Sequence, residues 1–277
     1  MSNKHTDIDD DQIRIISSDN LPEKRANKRN ILYIIMIAVV LTIAGALIFV
    51  RPSKPRESVA PASRNVEATS GSPYATSADT TGGDIRLNIL TPHNATPALA
   101  RGEQVLDDNS VILAIQAADI RADNLEIVCA YVEKGELVSK GEAKAGFCSI
   151  VNGELTVGVA DATPMFEQAL NNDGYFFRQY PLVVAGQIVE NKPQGKAVRK
   201  ALAEIDGEIS IISSRERISY RDFSEALVKI GVDNAISLVG ANSSGVYVDA
   251  DGKRHVFGDI PPEEWKENIN YILWKTK

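Results

Sequence analysis

Cysteine, histidine and runs of positive charge are what this chain has least of. Two cysteines and three histidines occur in 277 residues. His5, His93 and His255 are far apart, and neither Cys has a second Cys or a His at ligand spacing. That excludes a zinc-type site, and the reading assigns no metal and no cofactor. Lys and Arg number 30 against 37 Asp and Glu, a formal charge of −7. Binding to phosphate backbones needs a basic face, so nucleic acid is excluded as a main partner. Long apolar runs are also scarce, because there is only one. The remaining composition, 44% hydrophobic and 24% charged, is that of a folded protein.

The one run is Ile31 to Val50, "ILYIIMIAVVLTIAGALIFV", 20 residues without a charge. A helix of that length spans a bilayer core of about 30 Å, and it is apolar on every face. A cleaved signal peptide has a shorter apolar region nearer the start, so an uncleaved single transmembrane helix is expected. Lys24, Arg25, Lys28 and Arg29 precede it and Arg51, Lys54 and Arg56 follow. This charge bias is slight. The long C-terminal part orients the chain: residues 1–30 form a disordered cytoplasmic tail, and the C-terminal domain is periplasmic or extracellular, held by the inner (plasma) membrane. Residues 51–83 are rich in Pro, Ser, Thr, Ala and Gly and read as a flexible linker. The folded domain is expected over 84–277.

Within that domain, strand signals dominate. "DIRLNIL" alternates, and "SVILAIQA" is a buried-strand run. Four turn pairs, Lys134-Gly135, Asn152-Gly153, Ala185-Gly186 and Asp206-Gly207, each stand between strand-like stretches and predict hairpins. One helix stands out in "SYRDFSEALVKIG". Ser219 and Asp222 have capping-box spacing, Phe223, Ala226, Leu227 and Ile230 form one apolar stripe, and Gly231 stands at the stop. A second helix is expected in "TPMFEQALNN", with Thr163 as cap and Pro164 at its first position. These elements make an α+β fold, a mixed and largely antiparallel sheet with packed helices. Cys129 and Cys148 fall on segments read as neighbouring strands. Outside the cytoplasm a disulfide between them is open, and two separate buried thiols are the other reading. The C-terminal "IPPEEWKENINYILW" offers Trp265, Tyr271 and Trp274 either as anchors for a partner or as one face of a docked C-terminal helix.

After Gly231, a buried strand "VDNAISLV" leads into "GANSSGVYV", a small-residue turn with no acid, His or Cys. The stretch Lys200–Gly252 resembles the phosphodiester glycosidase family, the group that includes the lysosomal uncovering enzyme. The helix, the "GVDNAISL" strand and the Ser243-Ser244 pair carry the likeness. Upstream, "LAIQAADIRADNLEIVCAYVEKGELV" and "FRQYPLVVAGQIV" resemble two further family segments in the same order. The departures fall on motif residues. The family's Asn-Ala-Gly-Met stands at Gln116, Ala117, Ala118 and Asp119, and its Gln-Ser-Gly-Pro at Arg178, Gln179, Tyr180 and Pro181. Its Arg-Asn-Gly-Val-Gly stands at Arg199 to Ala203. Its Leu-Asp-Gly-Gly stands at Leu238, Val239, Gly240 and Ala241, so Val replaces a carboxylate. Val supplies no acid, base or metal ligand.

The resemblance therefore implies a fold kept with its chemistry eroded. The candidate pocket it marks is Gln116, Asp119, Arg178, Arg199, Gly240, Asn242, Ser243 and Ser244, with no assigned catalytic residue. The expected role is a glycan- or protein-binding module of the cell envelope, binding a glycan or sugar phosphate, or envelope proteins. A divergent active hydrolase of sugar phosphodiesters and an envelope or secretion-system scaffold are the two alternatives. No His completes a readable triad with Ser243 or Ser244, which argues against a serine nucleophile of that type.

Overall fold

A computed structural model describes the backbone of 62–65 and residues 71–141, 144–193 and 195–276. The expected cytoplasmic tail and the membrane span over 31–50 lie outside the described residues. Among the described residues, no helix is long and apolar enough to cross a membrane.

The described part is built from three sheets, and every recorded strand pairing is antiparallel. The expected mixed sheet is thus corrected to antiparallel, with six neighbouring pairs joined by hairpins and the rest formed by strands distant in the chain. The first sheet has six strands, in the order β1 (Ala62–Asn65), β9 (Glu154–Val159), β8 (Gly146–Val151), β10 (Tyr175–Gln179), β6 (Tyr131–Glu133) and β7 (Glu136–Ser139). The second has seven: β12 (Gln187–Ile188), β11 (Pro181–Val184), β15 (Val232–Ser237), β13 (Ala197–Ile205), β14 (Glu208–Ile218), β3 (Ile85–His93) and β2 (Tyr74–Gly82). The third has five: β17 (Arg254–Phe257), β16 (Gly245–Val248), β5 (Val111–Gln116), β18 (Asn270–Lys275) and β4 (Thr96–Arg101).

One core joins all three sheets, with Leu202, Ile211 and Ile236 from the second meeting Ile115, Ile272 and Trp274 from the third and Ile150, Val157 and Phe177 from the first. The other face of the seven-stranded sheet packs on the helix Tyr220–Lys229, where Phe223, Ala226 and Leu227 meet Leu87, Leu182 and Ile212. The apolar stripe read from the sequence is that contact.

All four turn pairs form hairpins, and both residues of each pair have positive φ, from 47° at Ala185 to 80° at Gly153. That backbone matches the twist of paired strands, which is why small or Asn/Asp-Gly pairs stand there. The capping box also forms, with the Asp222 amide donating to Ser219 Oγ at 3.1 Å and the Ser219 amide to Asp222 Oδ2 at 3.3 Å. Ser219→Ala is expected to lower stability by about 1 kcal/mol, read as a shift in the urea midpoint at unchanged slope. The second helix runs Met165–Asn171, and Thr163 Oγ1 accepts from the Met165 amide.

Two expectations fail in this part of the fold, and one open question is settled. Strands β1 and β2 fall inside the stretch assigned to a flexible linker, so pairing begins before Asp84. Strand β2 pairs with β3 along all nine residues yet is mostly exposed. An edge strand of Ser, Thr and Ala needs backbone partners but little apolar alternation, so composition hides it. Cys129 and Cys148 are both buried and form no disulfide. Phe177 of β10 pairs with Cys148 on one side and with Tyr131 on the other, so a whole strand separates the two cysteines. Two strand spacings are about 9.6 Å, beyond the Cα separation a disulfide bridges. The C-terminal segment is not a helix but a short 3-10 turn, Glu263–Trp265, followed by β18.

Candidate functional site

The site loop begins where β15 ends at Ser237. It is clamped on both sides by backbone: Leu238 N–H donates to Lys200 O at 2.9 Å, Ala241 N–H to Val198 O at 2.8 Å, and Val239 N–H to Gln116 O at 3.4 Å. A Cβ on Gly240 would stand 2.5 Å from Val198 O, so only Gly lets the loop lie this close to β13. Ala241 takes the left-handed φ of 52°, a strained choice for a residue with a Cβ. Asn270 ties down the neighbouring loop. It is fully buried, accepts from Ala118 N–H at 2.8 Å and donates to Ala118 O at 3.0 Å.

The eight candidate residues do not form one pocket. Gln116 and Ser244 belong to the interior: Gln116 Nε2 donates to Ser244 Oγ at 2.8 Å, and Ser244 Oγ lies 3.2 Å from Tyr271 Oη. Arg178 is also structural. Its guanidinium donates to Lys144 O, Ala160 O and Asp161 O, holding together the chain segments beside β8 and β9. Burial lowers its pKa, against a smaller opposite pull from Asp161. The remaining residues divide between two faces of β13. Arg199 lies on the helix side, its guanidinium 3.8 Å above the Tyr220 ring and bonded to Ile218 O and Gly195 O. Asn242 and Ser243 lie on the other side, with Lys200. Strand alternation sets this division, and at the bulge between Val198 and Lys200 Ser214 Oγ accepts from Arg199 N–H.

Near Arg199, the structure gathers residues that the sequence reading passed over. Tyr220 and Tyr180 have ring centroids 5.7 Å apart, and Lys144 Nζ stands 4.1 Å over the Tyr180 ring. Lys144 also donates to Gln179 Oε1 at 2.9 Å and to Asp119 Oδ2 at 3.2 Å, and Gln179 Nε2 donates to the same Asp119 oxygen at 3.1 Å. Burial pulls the Lys144 pKa down, but Asp119, together with Cys129 and Tyr180, holds the ammonium above the usual lysine value. Asp119 keeps 43% of its side chain exposed, so this acid faces solvent. It also borders a cavity of about 100 Å³ shared with Val239, Trp265 and Ile269. No local pattern flags Lys144 or Tyr180, because their partners come from distant strands.

On the opposite face, Lys200 is 6% exposed. Its Nζ reaches Ala241 O at 3.0 Å, Ser243 O at 3.1 Å and Ser243 Oγ at 2.5 Å. Burial without a carboxylate partner lowers its pKa to about 8. The one signal in the sequence was a lysine opening the buried run "KALA". Among the described residues, no three His, Cys, Asp or Glu gather as a metal site.

The segments around β13 and the loop after β15 include Gln116–Asp119, Gln179–Pro181, Arg199–Ala203 and Leu238–Ser244, which stand at the family's motif positions. A sequence model of the phosphodiester glycosidase family matches residues 109–268. The chain belongs to that family. A solved structure of the zebrafish N-acetylglucosamine-1-phosphodiester alpha-N-acetylglucosaminidase catalytic domain, auto-inhibited by its pro-peptide, is similar with a TM-score of 0.55 and 14% identity. The match covers 79% of this chain and 89% of that one. A hypothetical protein from Synechocystis matches with a TM-score of 0.47 and 14% identity, over 74% of this chain and 62% of that one. A comparison with curated protein sequences gives no match. In this phosphodiester glycosidase family member, the end of the central strand carries Val239, and the bordering cavity is lined largely by Trp265, Ile269 and Ala118.

Proposed function

We propose that the protein is a membrane-anchored member of the phosphodiester glycosidase family that no longer cleaves sugar phosphodiesters at the family's site. It serves in the cell envelope as a binding module for glycans carrying phosphate. The span over 31–50 would hold it in the inner (plasma) membrane, with the domain on the periplasmic or extracellular side. The observation that carries the loss of cleavage is the cavity beside Val239. Its volume of about 100 Å³ is well below the ~300 Å³ at which ligand pockets begin. Val239 contributes no carboxylate to it. Binding is supported by the array Lys144–Tyr180–Tyr220–Arg199, in which two cations lie over two aromatic faces. Aromatic faces suit sugar rings, and a guanidinium suits phosphate oxygens.

Asp119 keeps the active-hydrolase reading alive, since it is an acid bordering the same cavity. The scaffold reading loses two of its three anchors, because Tyr271 and Trp274 are buried in β18.

The test is a chromogenic sugar phosphodiester assay on the full chain, beside titration with a hexose 1-phosphate. Turnover no higher than that of Asp119→Ala is expected, together with saturable binding that weakens about tenfold in Arg199→Ala. Turnover that Asp119→Ala abolishes would establish the hydrolase instead. Binding unchanged by Arg199→Ala would remove the ligand site from this face.

A further inference from the structure

The Ser243–Lys200 contact lines a cleft of about 390 Å³ on the face of β13 opposite Arg199. The bonding is informative because the two carbonyls that hold Lys200 stay paired in both of its protonation states. As an ammonium, Lys200 donates to Ala241 O, Ser243 O and Ser243 Oγ, while Ser243 Oγ donates to Val239 O at 2.8 Å. As a neutral amine, Lys200 keeps two N–H donors for the two carbonyls and offers its lone pair to the Ser243 hydroxyl proton. The proton of Ser243 can therefore pass to Lys200 with Ala241 O and Ser243 O still paired, while Val239 O gives up its donor.

Lys200 forms no ion pair among the described residues, so no carboxylate fixes it as a cation. The other charged groups lining the cleft come from β14 and β17, and both are already engaged. Arg215 bonds Asp79 at 2.5 Å, and His255 bonds Asp249 at 2.7 Å. Burial brings Lys200 to about 8, where the amine form is populated near neutral pH. The exposed Asn242 side chain borders the same cleft and has no hydrogen-bond partner among the described residues, which leaves its amide available to a developing oxyanion.

We propose that Ser243 and Lys200 are a nucleophile and general base that open on this cleft and take acyl groups from O-acylated sugars. The substrate class follows from the walls: Ser77 and Ser213 line the cleft with hydroxyl groups, Asn88 is bonded to Ser77 and Asp79, and the Tyr247 ring is stacked on that of His255. These groups suit a neutral, hydroxyl-bearing ligand. In the first step Lys200 Nζ takes the Ser243 proton as Oγ bonds to the ester carbonyl carbon. The C–O bond to the sugar breaks, and Lys200 returns that proton to the leaving sugar oxygen. Water then attacks the acyl-serine, giving a proton to Lys200. The carboxylic acid leaves and Ser243 Oγ recovers the proton. This chemistry does not depend on the phosphodiester reading, which concerns the other face of β13.

The test is labelling of the full chain with a serine-directed fluorophosphonate, the adduct being mapped by peptide mass spectrometry. The wild-type chain is expected to label at Ser243, with a rate rising about a hundredfold from pH ~6 to pH ~9 as Lys200 deprotonates. Ser243→Ala should not label, and an acetylated sugar should slow labelling of the wild type. Lys200→Arg keeps a cation but cannot accept a proton, so it should lose the labelling while circular dichroism confirms the fold. Because that variant can fail to fold, the wild-type profile decides. No adduct on Ser243 at pH ~9 in folded chain, or a rate flat with pH, would overturn the proposal.

Discussion

Replacing Trp274 with Ala is expected to cost about 3–5 kcal/mol, read as a large drop in the urea midpoint of the full chain. Trp274 is 2% exposed and lies on β18, the strand between β5 and β4. It stands opposite Pro97 on one neighbour and Leu113 on the other, and its side chain belongs to the core shared by all three sheets. Truncation removes apolar contact on several sides at once, and the strands around it cannot collapse into the space without losing register. Trp274→Phe, which keeps an aromatic ring, should recover much of the loss. A surface anchor for a partner would behave differently, with a change of at most about 0.5 kcal/mol in the isolated chain. A cost that small would show that β18 is not docked as described.

Stability should rise as pH climbs from about 8 toward about 10, and Lys200→Met should flatten that rise. The sign follows from proton counts. Lys200 gives up its proton near 8 in the folded chain, whereas an unperturbed lysine holds it to 10.5. Between those values the unfolded chain binds more protons, so raising the pH favours the fold. Below about 8 both states are charged, and the fold carries the full cost of burying the ammonium. The displacement corresponds to about 3 kcal/mol. Buried Cys148 works in the opposite direction above about pH 9, and buried Tyr131 and half-buried Tyr175 above pH 10, because burial raises all three and only the unfolded chain ionises readily. The difference between wild-type and Lys200→Met urea midpoints isolates the lysine. A difference that does not change with pH would mean that Lys200 is solvated in the fold.

The same lysine shows what a linear reading misses. Lys200 was visible only as a charge ahead of "ALA", whereas its partners Ala241 and Ser243 lie some forty positions on. Arg178 shows the reverse case: a candidate pocket residue at a motif position is used up on three backbone carbonyls.

The sequence by itself determined the hairpin turns, the capped amphipathic helix, the buried strands β5 and β15 and the family likeness. Each of these is written in local physics, as φ-permissive turn pairs, i to i+3 and i+4 spacing, or a continuous apolar run. Only the tertiary structure decided three other matters. It placed the edge strand β2, whose Ser and Thr residues bond through the backbone and so leave little apolar trace. It separated the cysteines by inserting β10 between their strands. It also divided the candidate pocket, sending Arg199 to Tyr220 and Lys200 to Ser243 across the two faces of one strand. These outcomes depend on which strands become neighbours, and strand order is set by packing among residues far apart in the chain.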